Sequence, residues 1–571
     1  MGRRIRWMGL VMILCFALVL VQLVNLQFRR STELATAAAN PRNRLQDLNN
    51  LRGSILAADG TVLAYSQKIP NAGRADYQYQ RVYPEAAAQL FSDIVGYDSI
   101  NYGTWGAEYQ YNDQLVSHKQ PPHSLGQFIN PTTSTDDVYL TVQPKLQALA
   151  QQELAGRDGS VVVLNPTTGA VLAMYGNPTY DPNLLASPSS AIQTRGRFLM
   201  LAKNGHGYSA FDSLPYAERW APGSTFKVIT TAAAYDYAPL LVNKSYPVQS
   251  STKLPQSPLL LHNDGGAVCG GTIAQMLPPS CDQGYALLGL DVGATNMYKQ
   301  VTQFGYDQVP PLDLPGVIPS NFPTPTQLQN DLPGLAYSSI GQQDVAATTL
   351  QGALEAAAIA NGGVIMKPHV MAQIRDSQGN VVANYGLQPW MRATTQATAA
   401  AITPLMEEVV TSGTAGGVGF LPEDQVAAKT GTAQAGLNNQ LVDAWMVAFA
   451  PASQPRVAVA VTIPFSAPSI TGAEAAGPVV KAMIEAALAM TGPLPPPGPV
   501  PHYTGPSPTA PAPASPPGPA PSTTSTAPGA TTTTGPGVTT TTLPPVTTTA
   551  PTEPVPTTTP TTVAPTTPPT T

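Results

Sequence analysis

The chain has 571 residues, a formal net charge of −6, and 43% hydrophobic against 11% charged residues, enough for two or three domains with substantial cores. Modest acidity without a basic cluster argues against a nucleic-acid partner. Six scattered histidines, no Cys-x-x-Cys and no phosphate-cradling glycine loop leave neither a metal nor a cofactor to be expected.

Met1-Gly2-Arg3-Arg4-Ile5-Arg6 precedes Trp7 to Leu26, an uncharged run of about 20 residues that matches the thickness of a bilayer core. Arginines on its N-terminal side predict a cytoplasmic segment 1–6, a single transmembrane helix over 7–26 and an extracytoplasmic remainder. A cleaved signal peptide is the alternative; the length of the run and the lack of a clean small-x-small site favour the anchor. Residues 27–150 are punctuated by Gly and Pro, carry several tyrosines and contain no nucleophile set, so they read as a scaffold.

Residues 151–492 read as α+β. Val161 to Leu164 and Ala170 to Tyr175, joined by Asn165-Pro166-Thr167-Thr168-Gly169, predict a hairpin. Val426 to Ala433, Asp443 to Ala450 and Val457 to Ile463 are three further apolar runs that suit an antiparallel sheet. Helices are predicted at Ser224 to Tyr237, at Ala346 to Ala360 before Gly362-Gly363, and at Val479 to Met490. A lone histidine in this region, His369, is expected to be a structural or a surface residue. From Pro493 to Thr571 the chain is Pro, Thr, Ser, Ala and Gly, with Glu553 its only acidic residue and no Lys or Arg. Such a tail has too little apolar surface to offset the entropy of ordering, and a disordered, polyproline-like spacer through the cell wall is expected; sugars on its Thr-rich tracts are a compositional reading only.

A serine hydroxyl is a poor nucleophile until a base takes its proton, and a lysine three residues later on a helix lies on the same face. The chain has two S-x-x-K strings. Ser250 to Lys253 is followed by Leu254-Pro255, which disfavours helix, so Ser250 reads as a loop residue. Pro222-Gly223-Ser224-Thr225-Phe226-Lys227 instead leads into a mostly apolar helix, which makes Ser224 the candidate nucleophile and Lys227 its base. Downstream, only Ser280-Cys281-Asp282 has the form Ser-x-Asn or Ser-x-Asp before Lys429-Thr430-Gly431-Thr432, the one K-[ST]-G in the chain. Gly431 lies in a predicted strand, where a missing side chain lets a substrate backbone approach.

This ordered set resembles the S-x-x-K, S-x-N and K-T-G motifs of penicillin-binding proteins and serine β-lactamases. Arg52-Gly53-Ser54-Ile55 with Asp59-Gly60-Thr61, Arg81-Val82-Tyr83-Pro84 and Gly106-Ala107-Glu108-Tyr109 are similar to the pedestal of class B members. Gly159 to Pro166, Asp181-Pro182-Asn183, Ser339-Ile340-Gly341-Gln342 and Lys367-Pro368-His369 are similar to their transpeptidase domain. The likeness spans about residues 50 to 490 and is closest to actinobacterial-type members. It implies the α+β penicillin-binding transpeptidase fold, an antiparallel sheet flanked by helices. The space between anchor and transpeptidase is too short for the glycosyltransferase of about 200 residues that a bifunctional class A protein would need.

The resemblance implies that Ser224 attacks the bond between the last two D-alanines of a peptidoglycan stem peptide, that Lys227 takes its proton, and that Ser280 relays it to the departing amine. It assigns Lys429, Thr430, Gly431 and Thr432 to substrate binding and the amides of Ser224 and Thr432 to an oxyanion hole. β-Lactams are expected as covalent inhibitors and a separate membrane glycan polymerase as partner; a role in septation or in elongation stays open. Asp282 departs from the motif, because an aspartate carboxylate accepts where asparagine also donates, and beside Lys227 it would hold the lysine's proton. It is the one feature that favours a weakly active scaffold; the enzymatic rivals are a carboxypeptidase or a β-lactamase, in which water takes the acyl group, and anchor and pedestal speak against both. Cys269 and Cys281, both outside the apolar span that holds Cys15, are either a disulfide beside Ser280 or two free thiols.

Overall fold

The computed structural model describes residues 2–25, 50–69, 78–119, 133–258, 260–435 and 440–490. The tail expected at 493–571, the start of the pedestal segment at 27–49 and Leu26 at the end of the predicted span lie outside the described residues. Helix α1 (Gly2–Val24) is long and apolar enough to cross a membrane. It begins before the predicted Trp7, because arginines are good helix formers and Arg3, Arg4 and Arg6 extend its first turns.

In chain order the remaining principal elements are β1 (Ile55–Leu56), β2 (Val62–Lys68), β3 (Tyr79–Val82), β4 (Asp137–Leu140), α2 (Pro144–Leu154), β5 (Gly159–Leu164), β6 (Val171–Asn177), α3 (Lys227–Tyr237), α4 (Asp282–Val292), α5 (Thr349–Ala360), β7 (Met371–Arg375), β8 (Val381–Asn384), α6 (Gln396–Thr411), β9 (Ala427–Ala435), β10 (Leu441–Ala450), β11 (Val457–Ser466) and α7 (Gly477–Ala489).

Two sheets organise them. The first has the order β8-β7-β4-β1-β2-β3, with β1 and β4 parallel and the other pairs antiparallel. Its strands β7 and β8 come from within 151–492, so the pedestal sheet is completed by the stretch that chain order gives to the catalytic region. Register explains this: Ile374 pairs with Val138 and both are buried, so β7 hides its apolar residue only against β4. Beside this sheet, the Arg52, Arg81–Tyr83 and Glu108 segments converge. Glu108 is fully buried and receives Arg52 Nε at 2.8 Å, Arg81 Nε at 2.5 Å and the Tyr83 hydroxyl at 3.2 Å. Two guanidiniums hold the Glu108 carboxyl below its usual range despite burial, which pushes the other way.

The second sheet is antiparallel throughout, in the order β6-β5-β11-β10-β9. Its strands are apolar on both faces because both are covered. Val162, Leu164, Trp445 and Val447 lie on the face covered by α5, whereas Val161, Val163, Ala444 and Met446 lie on the face covered by α2 and α7. The β5–β6 turn closes as its residues dictate: Asn165 Oδ1 accepts from the Thr167 and Thr168 amides, and Gly169 takes φ +80°. His369 is buried, stacks on Tyr385 with ring centroids 3.6 Å apart, and burial lowers its pKa to about 4. That is a structural histidine.

Candidate active site

The S-x-x-K string does not start as one α-helix. Gly223–Phe226 form a 3₁₀ turn that runs into α3, and Gly223 takes φ +53°, a left-handed value that favours glycine. A Cβ at Gly223 would lie 3.1 Å from Thr432 C and Ala433 N, and one at Gly431 would lie 2.6 Å from Pro222 O. Each glycine thus makes room for the other segment, so strand β9 runs directly beside the turn that carries Ser224. At Gly431 the missing side chain makes room for the protein's own Pro222 carbonyl and Thr225.

Ser224 is half-buried at the mouth of the turn, and Lys227, one turn on, is fully buried. Lys227 Nζ donates to Ser280 O at 2.6 Å, Ser280 Oγ at 3.2 Å and Asp282 Oδ1 at 2.7 Å. Lys429, also fully buried, reaches the same hydroxyl from the opposite side: its Nζ lies 2.9 Å from Ser280 Oγ and 3.0 Å from Thr430 O. Ser280 Oγ is therefore bridged by two lysines. Burial pulls the Lys227 pKa down, and Asp282 followed by Asp264 opposes that pull. Burial also pulls Lys429 well down; the charge of Lys227 adds to the effect, while Asp282 and Glu355 resist it.

The middle motif is held under backbone strain. Ser280 takes φ +62°, an unfavourable value for a residue with a side chain, and its neighbour Cys281 is bonded to Cys269. Asp282 opens α4, a place where the helix dipole favours a carboxylate, and its second oxygen accepts from the Asp264 amide at 3.1 Å. Asn263 ties this loop together, receiving the Gln283 amide at 2.8 Å and donating to Gln249 O and Ala267 O. Ser250 lies in the bend between two short strands, where its carbonyl accepts from the Asn263 amide at 2.9 Å; it serves the loop and is not a nucleophile here.

A cavity of about 290 Å³ is lined by Ser224, Ser280, Asp282, Thr414, Thr430 and Thr432, among others. A second of about 370 Å³ adjoins it, sharing Asp282 and Thr432 and extending toward His262, Gln342 and Gln434. All three motifs thus meet at one opening. Thr432 Oγ1 accepts from the Gly472 amide at 3.1 Å, and the Thr430 and Thr414 hydroxyls are hydrogen-bonded at 2.5 Å. Sequence reasoning missed Thr414, Asn263 and Asp264. Asn263-Asp264-Gly265-Gly266 carries a turn signal but no hint of its destination, and Thr414 arrives only through the loop after α6.

Residues 159–485 match the penicillin binding protein transpeptidase domain. This chain belongs to the penicillin-binding protein transpeptidase family. In this penicillin-binding protein, residues 52–136 also match the penicillin binding protein A dimerisation domain. It is 33% identical over 500 residues to the peptidoglycan D,D-transpeptidase PbpA of Mycobacterium tuberculosis, covering 83% of this chain and 96% of that protein. It is 35% identical over 476 residues to PbpA of Mycolicibacterium smegmatis, covering 79% and 92%. Among solved structures it resembles penicillin-binding protein A from M. tuberculosis in its ceftriaxone acyl-enzyme complex, with a TM-score of 0.69, 32% identity, and coverage of 78% of this chain and all of that one. The penicillin G acyl-enzyme complex of the same protein gives a TM-score of 0.67 at 33% identity, covering 77% of this chain and all of that one.

Proposed function

We propose that this penicillin-binding protein is a peptidoglycan D,D-transpeptidase that works through an acyl-enzyme on Ser224 and is inhibited by covalent β-lactam binding. The observation that carries the reading is the Ser280 hydroxyl held between two buried lysines at the opening that Ser224 lines. Neutral Lys227 takes the Ser224 Oγ proton as Oγ bonds to the carbonyl carbon of the penultimate D-alanine. The bond to the terminal alanine nitrogen then breaks, and Ser280 passes a proton from Lys227 to that leaving amine. Lys429, Thr430 and Thr432 receive the substrate carboxylate, and the Ser224 and Thr432 amides stabilise the oxyanion, where one donor is worth about 100-fold or more in rate. An amine of a second stem peptide next attacks the ester, returning the proton along the same route and releasing Ser224.

Two adjoining cavities favour transfer between two peptides over hydrolysis, since each can hold one arm around Asp282 and Thr432. We assign residues 27–150, with β7 and β8, to a non-catalytic pedestal, residues 151–492 to the transpeptidase domain and 493–571 to a spacer. The cytoplasmic end of α1 anchors the catalytic domain outside the membrane beside a glycan polymerase. The Lys227–Asp282 ion pair favours a second reading, a weakly acylating scaffold. Labelling the full-length chain with a fluorescent penicillin, beside Ser224→Ala, separates the two: a long-lived adduct on Ser224 supports the transpeptidase, an unlabelled parent the scaffold, and rapid release of the adduct a β-lactamase.

A further inference from the structure

Glu355 is a carboxyl group in the core, only 1% exposed, and its Oε1 has no hydrogen-bond partner among the described residues. It sits on the face of α5 that packs against the catalytic sheet. A Cβ at Gly352, one turn earlier, would lie 3.2 Å from Trp445 and 3.3 Å from Val447, and residues three apart on a helix share a face. Val447 is the cross-strand partner of Lys429, and directly opposed residues project from the same side of a sheet. Glu355 and Lys429 therefore meet at one helix–sheet interface, behind the strand that carries Lys429-Thr430-Gly431.

Each of the two feels the other's charge. Burial drives Glu355 toward the neutral acid and Lys429 toward the neutral amine, and each charge opposes that pull on its partner. Lys227 from α3 and Asp282 from α4 face Lys429, and Tyr306, whose buried hydroxyl also lacks a partner among the described residues, faces Glu355. The ammonium form of Lys429 is favoured by its hydrogen bonds to Ser280 Oγ and Thr430 O.

We infer that Glu355 is a positioning residue for acylation, acting through Lys429: it holds that side chain as the ammonium that receives a substrate carboxylate and loosens the proton on Lys227. The inference rests on the active-site reading above. Sequence gave no sign of it, since a glutamate in an otherwise apolar helix reads as a solvent-facing residue.

The test measures the rate of labelling by a fluorescent penicillin against pH in the full-length chain in detergent. Labelling that disappears in Ser224→Ala secures the site; the inference about Glu355 then stands or falls separately. Removing the carboxylate lowers the pKa of Lys429, so in Glu355→Gln the alkaline limb moves to lower pH, and Glu355→Asp restores part of the displacement. Superimposable parent and Gln profiles overturn the inference, whatever the thermal stability of the variant, because a packing role would not move the limb. If the Gln variant does not fold, ¹³C NMR of labelled lysines in the parent decides, with Lys429 assigned by difference from Lys429→Met. An ammonium at neutral pH supports the inference, and a neutral amine overturns it.

Discussion

Lys227 Nζ lies 2.7 Å from Asp282 Oδ1, so the lysine proposed as general base is tied to a carboxylate where an asparagine would offer an amide. Asp282 raises the Lys227 pKa against the downward pull of burial, and a protonated lysine cannot accept the Ser224 proton. In Asp282→Asn the Lys227 pKa falls, the neutral amine exists at lower pH, and the acidic limb of acylation moves to lower pH. At neutral pH, labelling by fluorescent penicillin should then be about tenfold faster. A rate equal to or below that of the parent contradicts this account of the ion pair.

Gly431→Ala should couple stability to chemistry. The new methyl meets Pro222 O at 2.6 Å and Thr225 Cγ2 at 3.0 Å, and Pro222 is backbone of the nucleophile turn itself. We expect a loss of roughly 1–3 kcal/mol from overpacking together with at least a tenfold slower acylation of the folded protein. Thermal denaturation and labelling rate measured on one preparation check both; normal acylation at reduced stability would show that turn and strand are not rigidly coupled.

Glu108 anchors the pedestal by a different physics. Glu108→Ala leaves Arg52 and Arg81 buried without their shared carboxylate, a change that typically costs about 3–5 kcal/mol. Chemical denaturation should register that loss, while the intrinsic labelling rate of the folded fraction stays at the parent value. A stability change within error would mean that water solvates the two guanidiniums.

The Cys269–Cys281 bridge closes a loop of sequence separation 12 that leads straight into Ser280. Constraining a loop of this size is worth about 3 kcal/mol in the chain-entropy model, and here it restrains the residue that both lysines address. Peptide mapping without reductant should recover the two cysteines as one linked peptide, and Cys269→Ser with Cys281→Ser should slow acylation. Free alkylated thiols at both positions in the parent would remove the bridge from the account.

How much of this was legible beforehand differs by level. The hairpin at Gly159–Asn177 and the three long strands were readable because each is a continuous apolar run ended by turn residues, and the observed strands agree with those runs to within a few residues. The Ser224 segment was readable as helix, but not the 3₁₀ form of its first turn, because the left-handed glycine and the tight start answer to β9, a partner about 200 residues away in sequence. The meeting of Ser224, Lys227, Ser280, Asp282 and Lys429 was anticipated through ordered motifs, not through any local propensity. Asn263 and Thr414 were invisible for the opposite reason: each belongs to an irregular loop whose place depends on packing across the sheet. Likewise no local pattern reveals that Glu355 faces inward, since its helix is apolar nearly all round.

Because β7 and β8 leave the catalytic stretch to finish the other sheet, the polypeptide passes back and forth between its two halves. Cutting at residue 151 would therefore not liberate an enzyme from its stand; it would strip β7 of β4 and bare an edge prone to pairing with foreign strands. The same weave makes a mechanical linkage. From the outer edge at β8 the chain runs back through β7 and the short strand Val364–Met366 to α5, the helix packed against the sheet that carries Lys429, so one short stretch of backbone joins the pedestal edge to the catalytic core.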